Sequence, residues 1–314
     1  MTNRVHIICH PEAGGGNGKI VLKKLHAELD SFQMEYITYL TDYSTHAEIL
    51  TEQLVNRGHK EYDSYLMVVG GDGTLHEVVQ SLLKNNKLIP VTFIPAGTGN
   101  DFYRNWQKNH SIREIIETML FSDSPVSIPI FTYKNLITER QGLILNNMGY
   151  GFDAEANFRA QNLLDNSFLN KFGLRKLSYL IGLLVSLPNI RHFDVSGEID
   201  NHQFHYNDVS LATIMNSPTL GGGINIDQLT KPENNEIALV IYHEIKWSSI
   251  FDILAKVLVT NKTYESKNID RFTGQNLRLS ITDPIRGHVD GEVIPEMPVN
   301  IEVTLSSYPF YLPK

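Results

Sequence analysis

The strongest constraint on this chain is a pattern that recurs in its first hundred residues: a short apolar run, then a glycine-rich loop. The run 5–9 leads into Gly14, Gly15, Gly16 and Gly18. The run 65–69 (YLMVV) leads into Gly70, Gly71 and Gly73, and the run 90–94 into Gly97 and Gly99. Helix-forming segments at 19–32, 46–57 and 75–84, with a further strand at 34–40, complete the alternation. Apolar strands alternating with helices predict an α/β domain whose parallel sheet carries helices on both faces. Sheets of this kind place ligands at the carboxyl ends of their strands, where these loops stand.

Beyond Pro125 the pattern changes. Short β-type runs at 126–133, 143–148, 202–215, 237–242, 276–281 and 299–305 are separated by Gly, Asn, Asp and Pro clusters. They predict a second, mostly β domain, interrupted by helical segments at 168–187 and 250–259. The expected division is 1–125 and 126–314, with the last strands able to return toward the first domain. A chain of 314 residues suits two domains.

Charge and cysteine content remove several classes of function. The net charge of −8 makes general binding of nucleic acid or of an anionic bilayer unfavourable without a local basic patch. The single cysteine, Cys9, excludes an internal disulfide framework and a Cys-rich zinc site, and fits a reducing compartment. The N-terminal apolar run is short and interrupted by His6, unlike a secretory signal, and no stretch offers the roughly 20 apolar residues of a spanning helix. The expectation is a cytoplasmic protein.

Each loop has its own chemistry. Ala13-Gly-Gly-Gly-Asn-Gly-Lys19-Ile20 nearly spells a Walker A loop, but Ala13 replaces its first Gly and Ile20 its magnesium-binding hydroxyl. A P-loop NTPase is therefore rejected, while bare N–H groups at a helix start still form an anion site. In Gly70-Gly71-Asp72-Gly73-Thr74, glycines allow a phosphate to approach the backbone, and Asp72 either caps its helix or faces the phosphate through magnesium. In Pro95-Ala96-Gly97-Thr98-Gly99-Asn100-Asp101, Thr98 offers a hydroxyl to phosphate, and Asp101 either caps the next helix or faces an acceptor substrate. Far along the chain, His288-Val289-Asp290-Gly291-Glu292 reads as a hairpin turn. Beside the glycine loops, Glu292 or Asp290 also becomes a candidate general base.

The motifs Gly-Gly-Asp72-Gly-Thr-Leu-His-Glu77, Pro-Ala-Gly-Thr98-Gly-Asn-Asp101-Phe and Asp290-Gly-Glu292, in that order, resemble the diacylglycerol kinase catalytic domain family. That family includes bacterial lipid kinases and the sphingosine kinases. Gly149-Tyr-Gly-Phe-Asp153-Ala, an apolar helix with Tyr179, and Gly221-Gly-Gly223 extend the resemblance over nearly the whole chain. It implies an N-terminal ATP-binding domain and a C-terminal β-rich lipid-substrate domain, with the active site in the cleft between them. It also implies an ATP-dependent, magnesium-assisted kinase acting on a lipid hydroxyl, most directly that of diacylglycerol, at the inner face of the membrane. Nucleotide contacts then fall on His10, Pro11, Glu12, Ala13, Gly14, Thr41, Gly71, Asp72, Gly73, Thr74, Leu75, His76, Glu77 and Thr98. Asp72 organises magnesium and phosphates. Glu292 is the proton acceptor, with Asp290 the runner-up, and Asn100, Asp101 and Asp153 face the substrate.

The sequence departs from the family in three places. His10-Pro11 stands where Asn-Pro is usual, and Ala13-Gly14 where Ser-Gly is common. The stretch Asp227 to Glu236 carries Asn234-Asn235 in place of an Asp pair that helps hold a structural magnesium in bacterial members, so that site is not expected here. The basic residues Lys171, Arg175 and Lys176 lie on the expected helix 168–187. That helix is either core or a membrane-facing, lipid-guiding element. Competing functional readings are a kinase of another lipid (sphingoid base, ceramide, phosphatidylglycerol), a soluble-substrate kinase sharing the Gly-Gly-Asp-Gly motif, as NAD kinases do, and a non-catalytic lipid- or nucleotide-binding regulator.

Overall fold

The computed structural model describes residues 4–57, 64–106, 110–165, 181–182, 185–186, 188, 190–220, 224–244 and 267–313. The chain divides into two units, Met1–Ile128 with Ser307–Lys314, and Pro129–Ser306.

Unit 1 contains β1 (Arg4–Cys9), α1 (Ala13–Ser31), β2 (Glu35–Leu40), α2 (His46–Asn56), β3 (Ser64–Gly70), α3 (Asp72–Lys84), β4 (Val91–Pro95), α4 (Asp101–Trp106) and α5 (Ile112–Phe121). β2 and β3 flank β1 in parallel, Val5 standing opposite Tyr36 and Tyr65. β4 adds in parallel to β3, and Phe310 of the C-terminal segment pairs with Val91 on β4. β1, β3 and β4 are buried because their runs are largely apolar, whereas no residue of β2 is fully buried: Val5, Ile7, Met67, Val69 and Ile94 join Leu25 and Leu29 of α1 in one core. Leu25 and Leu29 are four residues apart and share a helical face. α1 packs with α5, and α2 with α3. α5 adds a helix to the expected set, and its start is legible: Ser111 and Glu114 form a capping box.

Unit 2 contains most of β5 (Val126–Asn135), then β6 (Gln141–Ile144), β7 (Asn147–Gly151), α6 (Phe152–Asp165), β8 (Phe193–Ile199), β9 (His202–Met215), β10 (Thr219–Leu220), β11 (Ile224–Asn225), β12 (Ile237–His243), β13 (Ile269–Gly274) and β14 (Asn276–Val289). Its last strand, β15 (Glu292–Phe310), runs on into the segment that belongs to unit 1. Here the pairing is antiparallel, in the order β13-β12-β9-β7-β14-β15, with β8 joined to both β9 and β14. Leu277, Leu279 and Ile281 alternate into its core, as a half-buried strand requires.

Three strand expectations differ from the structure. The run 143–148 is two strands, β6 and β7, parted at Leu145 and Asn146. The run 276–281 is the first part of the much longer β14, and 299–305 the middle of the much longer β15. Pro284, Pro295 and Pro298 read as breaks, but the register between these strands shifts between Ile281 and Gly287, and irregular pairing tolerates proline. The expected helix 168–187, with Lys171, Arg175, Lys176 and Tyr179, lies almost wholly outside the described residues; so do the helix 250–259 and Gly221-Gly-Gly223. Among the described residues, no helix is long and apolar enough to cross a membrane.

Candidate functional site

The first loop follows β1. Gly14, Gly15 and Gly16 all have positive φ, at 62°, 73° and 96°, inside the span Ala13–Ser31, so the regular helix begins only after them. Gly15 and Gly16 each donate a backbone hydrogen bond to the Glu12 carbonyl. A Cβ on Gly14 would lie 2.4 Å from the Ala96 carbonyl oxygen, and one on Gly18 2.1 Å from that of His10. Glycine is therefore required at Gly14 twice over, by backbone angle and by close approach. The Asn17 amide also donates to the Ala96 carbonyl, at 3.1 Å, tying the first loop to the third. His10 Nδ1 lies 2.9 Å from Thr41 Oγ1, and the Thr41 N–H donates to the Cys9 carbonyl, so two expected nucleotide contacts meet at the ends of β1 and β2. Glu12 is exposed and ion-paired with Lys19, whose hydrogen bond holds its carboxyl below the usual range.

The second and third loops touch backbone to backbone. The Gly70 carbonyl accepts from the N–H groups of Ala96 (2.7 Å) and Gly97 (3.1 Å), and a Cβ on Gly97 would lie 2.7 Å from Gly71 Cα. Asp72 stands at the start of α3, but its carboxylate reaches the neighbouring helix instead. Oδ2 accepts from the Asp101 N–H and Oδ1 from the Phe102 N–H, both at 3.0 Å. Asp72 thus caps α4 and fixes the third loop. Glu77 also reaches a distant helix, its Oε1 and Oε2 accepting from the N–H groups of Thr45 (2.9 Å) and Ala47 (3.1 Å) at the start of α2. Its carboxylate thereby ties α3 to the start of α2. Leu75 is fully buried, and its N–H already donates to the Gly71 carbonyl at 3.2 Å.

In the third loop, Asn100 adopts φ 50° and its amide donates to the Gly97 carbonyl at 2.7 Å. Its Oδ1 is buried without a hydrogen-bond partner among the described residues. Asp101 is buried, 3.7 Å from Arg104. The third loop and the start of α3 both carry backbone N–H groups of the kind that bind anions, since the first N–H groups of a helix have no intrahelical partner.

The Asp-Gly-Glu motif, in unit 2, is a two-residue hairpin turn between β14 and β15. Asp290 and Gly291 both take positive φ, 49° and 88°, as a type I′ turn demands. Asp290 Oδ1 accepts from the N–H groups of Asn146 (2.7 Å) and Asn147 (3.0 Å), and Oδ2 from that of Leu145 (2.9 Å). This clamp parts β6 from β7. Glu292, one residue past the turn, is exposed and makes no side-chain hydrogen bond or ion pair among the described residues. Asp153, expected to face substrate, is instead buried at the start of α6. Its Oδ2 lies 2.9 Å from His288 Nε2, which is equally buried. A Cβ on Gly149 would fall 2.1 Å from that Oδ2, so this glycine makes room for the pair. His288 Nδ1 lies 3.4 Å from the Gly291 N–H, placing the pair directly beneath the turn. Sequence reasoning misses the His288–Asp153 pair, because its partners lie in segments far apart in the chain.

Residues 4–128 match the family model of the diacylglycerol kinase catalytic domain, and residues 146–308 that of the YegS C-terminal NAD kinase beta sandwich-like domain. The chain belongs to the diacylglycerol kinase catalytic domain family. Among curated relatives it is 28% identical over 300 residues to "Putative lipid kinase YtlR" of Bacillus subtilis, covering 94% of each chain. It is also 28% identical over 253 residues to a "Putative lipid kinase" of Staphylococcus epidermidis, covering 80% of this chain and 78% of that one. A diacylglycerol kinase crystal structure from Bacillus anthracis shares the fold, with a TM-score of 0.67 over 99% of this chain and 97% of that one at 16% identity.

Membership of a kinase family implies use of ATP, and the glycine loops fit its phosphates: they combine left-handed backbone with close approach. A resident metal fits less well. Among the described residues no three His, Cys, Asp or Glu side chains gather as a metal site. In the stretch expected to lack the structural magnesium, Asp227 is buried and its Oδ2 accepts from Arg271 Nε at 2.7 Å, while Arg271 Nη2 reaches Glu236 at 3.2 Å. A guanidinium therefore supplies the positive charge there.

Proposed function

We propose that the protein is an ATP-dependent lipid kinase that transfers the γ-phosphate to a lipid hydroxyl, with diacylglycerol as the leading acceptor and phosphatidic acid as its product. The observation that carries this reading is the assembly of three glycine loops at the carboxyl ends of β1, β3 and β4, the third pinned by Asp72. The loop N–H groups hold the donor phosphates, and Thr98 adds a hydroxyl. Magnesium arriving with ATP would neutralise phosphate charge. Glu292 accepts the proton of the attacking hydroxyl, whose oxygen bonds to the γ-phosphorus as the bond to the β,γ-bridging oxygen breaks and ADP leaves. Asp290 and Asp153 support the turn that carries Glu292, without touching the reacting atoms. Positioning and fixed donors supply most of the rate. Lipid contact takes place at the membrane surface.

The test is transfer of radiolabelled phosphate from ATP, with magnesium, to lipids in mixed micelles. Label on diacylglycerol is the expected result. Label on another lipid alone would keep the mechanism and change the substrate. Label on no lipid, from folded protein that binds ATP, would overturn the reading.

A further inference from the structure

Unit 2 contains a cavity of about 410 Å³ lined by residues of α6, the segment before β8, β14 and β15, none of them in the Asp-Gly-Glu turn. Its charged lining is Glu155, Arg159, Arg191, Arg286 and Glu296. Three guanidinium groups against two carboxylates leave one positive charge uncompensated. The carboxylates are already saturated: Glu155 pairs with Arg159 and Arg286, and Glu296 with Arg191 and Arg286. A cationic ligand would find no free acid. Arg286 is held from both sides and lies over the Phe158 ring at 3.8 Å, so its charge is fixed. Arg159 uses only Nε toward Glu155, at 2.8 Å, and its two terminal nitrogens have no partner among the described residues.

A second, independent feature points the same way. Ser186 lines the cavity, is fully buried, and its hydroxyl has no hydrogen-bond partner among the described residues. An unpaired buried hydroxyl is costly, and a purely structural ion-pair lattice would leave neither such a group nor open volume beside it. We infer that this cavity is an anion site for a phosphate mono- or diester group, held by the fork of Arg159, by Arg191 and by the Ser186 hydroxyl, with Arg286 as the fixed charge behind. Planar guanidinium forks match phosphate oxygens, and the volume suits a phosphorylated headgroup. The inference does not depend on the kinase reading.

The experiment is calorimetric titration of the full chain, at low salt, with inorganic phosphate and with dihexanoyl phosphatidic acid below its micellar concentration. Wild type, Arg159→Ala and Ser186→Ala are compared. Arg159→Ala is expected to weaken phosphate binding by at least tenfold. Ser186→Ala is expected to weaken it severalfold while the melting temperature holds or rises, because the deleted hydroxyl has no partner to lose. Both residues lie in unit 2, and neither belongs to a glycine loop. Tighter binding of the short-chain lipid than of phosphate would assign the site to a lipid headgroup, and equal binding would assign it to free phosphate. No binding by wild type, or equal affinities in all three proteins, would overturn the inference.

Discussion

Glu292 and Asp290 are two residues apart and chemically similar, yet the fold gives them opposite roles. Asp290 spends its carboxylate on three backbone N–H groups, whereas Glu292 is exposed and without a side-chain partner among the described residues. Glu292→Gln is therefore expected to leave the thermal midpoint unchanged and to lower kcat by roughly 10²–10⁴-fold, the range for loss of a general base. Asp290→Asn keeps the shape but trades an acceptor-only carboxylate for a neutral amide. It should cost about 1–3 kcal/mol of stability, read by denaturant unfolding. If Glu292→Gln proved as active as wild type, the proton acceptor would lie elsewhere. Cys9 gives a second check at this scale. Burial pushes its thiol up to about 12, so the thiolate is scarce at pH 8, and the folded protein should resist thiol reagents that label it at once in denaturant. The sequence marked Asp290, Gly291 and Glu292 as a group because the turn is spelled locally. The family resemblance ranked Glu292 ahead of Asp290, but the physical reason was hidden, because the clamp on Asp290 closes across more than 140 residues.

At the level of elements, a charge that a metal could have carried is carried by a side chain. Arg271 on β13 bridges Asp227 and Glu236, and Thr230 donates to the same Asp227 oxygen at 2.6 Å. Asp227 is buried, so its charge depends on this cation. Removing one partner of a buried ion pair costs about 3–5 kcal/mol, because the other is left uncompensated. Arg271→Ala should therefore lower the melting temperature by many degrees, whereas excess EDTA should leave the apo protein's melting temperature unmoved. A fall in melting temperature with EDTA, reversed by magnesium, would show a structural metal after all. The sequence displayed the loss of the Asp pair at Asn234-Asn235 but not its compensation, since Arg271 lies 44 residues from Asp227 and no motif marks it. The glycine loops were legible for the converse reason: a left-handed turn and a close backbone approach both demand glycine, and glycine appears in the letters. What the letters hid was that Asp72 and Glu77 each cap a different helix from the one they begin or sit on.

For the molecule as a whole, the chain's end completes its beginning. Alternation of apolar runs separated an α/β half from a β half, because period and spacing are local properties. Where the chain finishes is a topological property and was only half legible. Ser307–Lys314 clusters with unit 1, and its side chains are core rather than trim. Tyr308 and Phe310 are fully buried, the Tyr308 hydroxyl donates to the Ile89 carbonyl at 2.8 Å, and Phe310 pairs with Val91 and lies 4.8 Å from the Phe102 ring, centroid to centroid. Phe102 opens α4 beside the N–H groups that Asp72 caps, so the C-terminal segment buttresses the element that fixes the third glycine loop. Losing one buried aromatic side chain of this size costs about 3–5 kcal/mol, and losing two approaches the whole stability of a typical domain. A chain ending at Ser306 should therefore lose ATP binding and the helical circular dichroism of unit 1 while retaining the β signal of unit 2. The milder Phe310→Ala should weaken ATP binding in proportion to its loss of stability. Full ATP affinity in the truncated chain would mean that unit 1 folds without its last strand, and that the link from Phe310 through Phe102 to the third loop carries no functional weight.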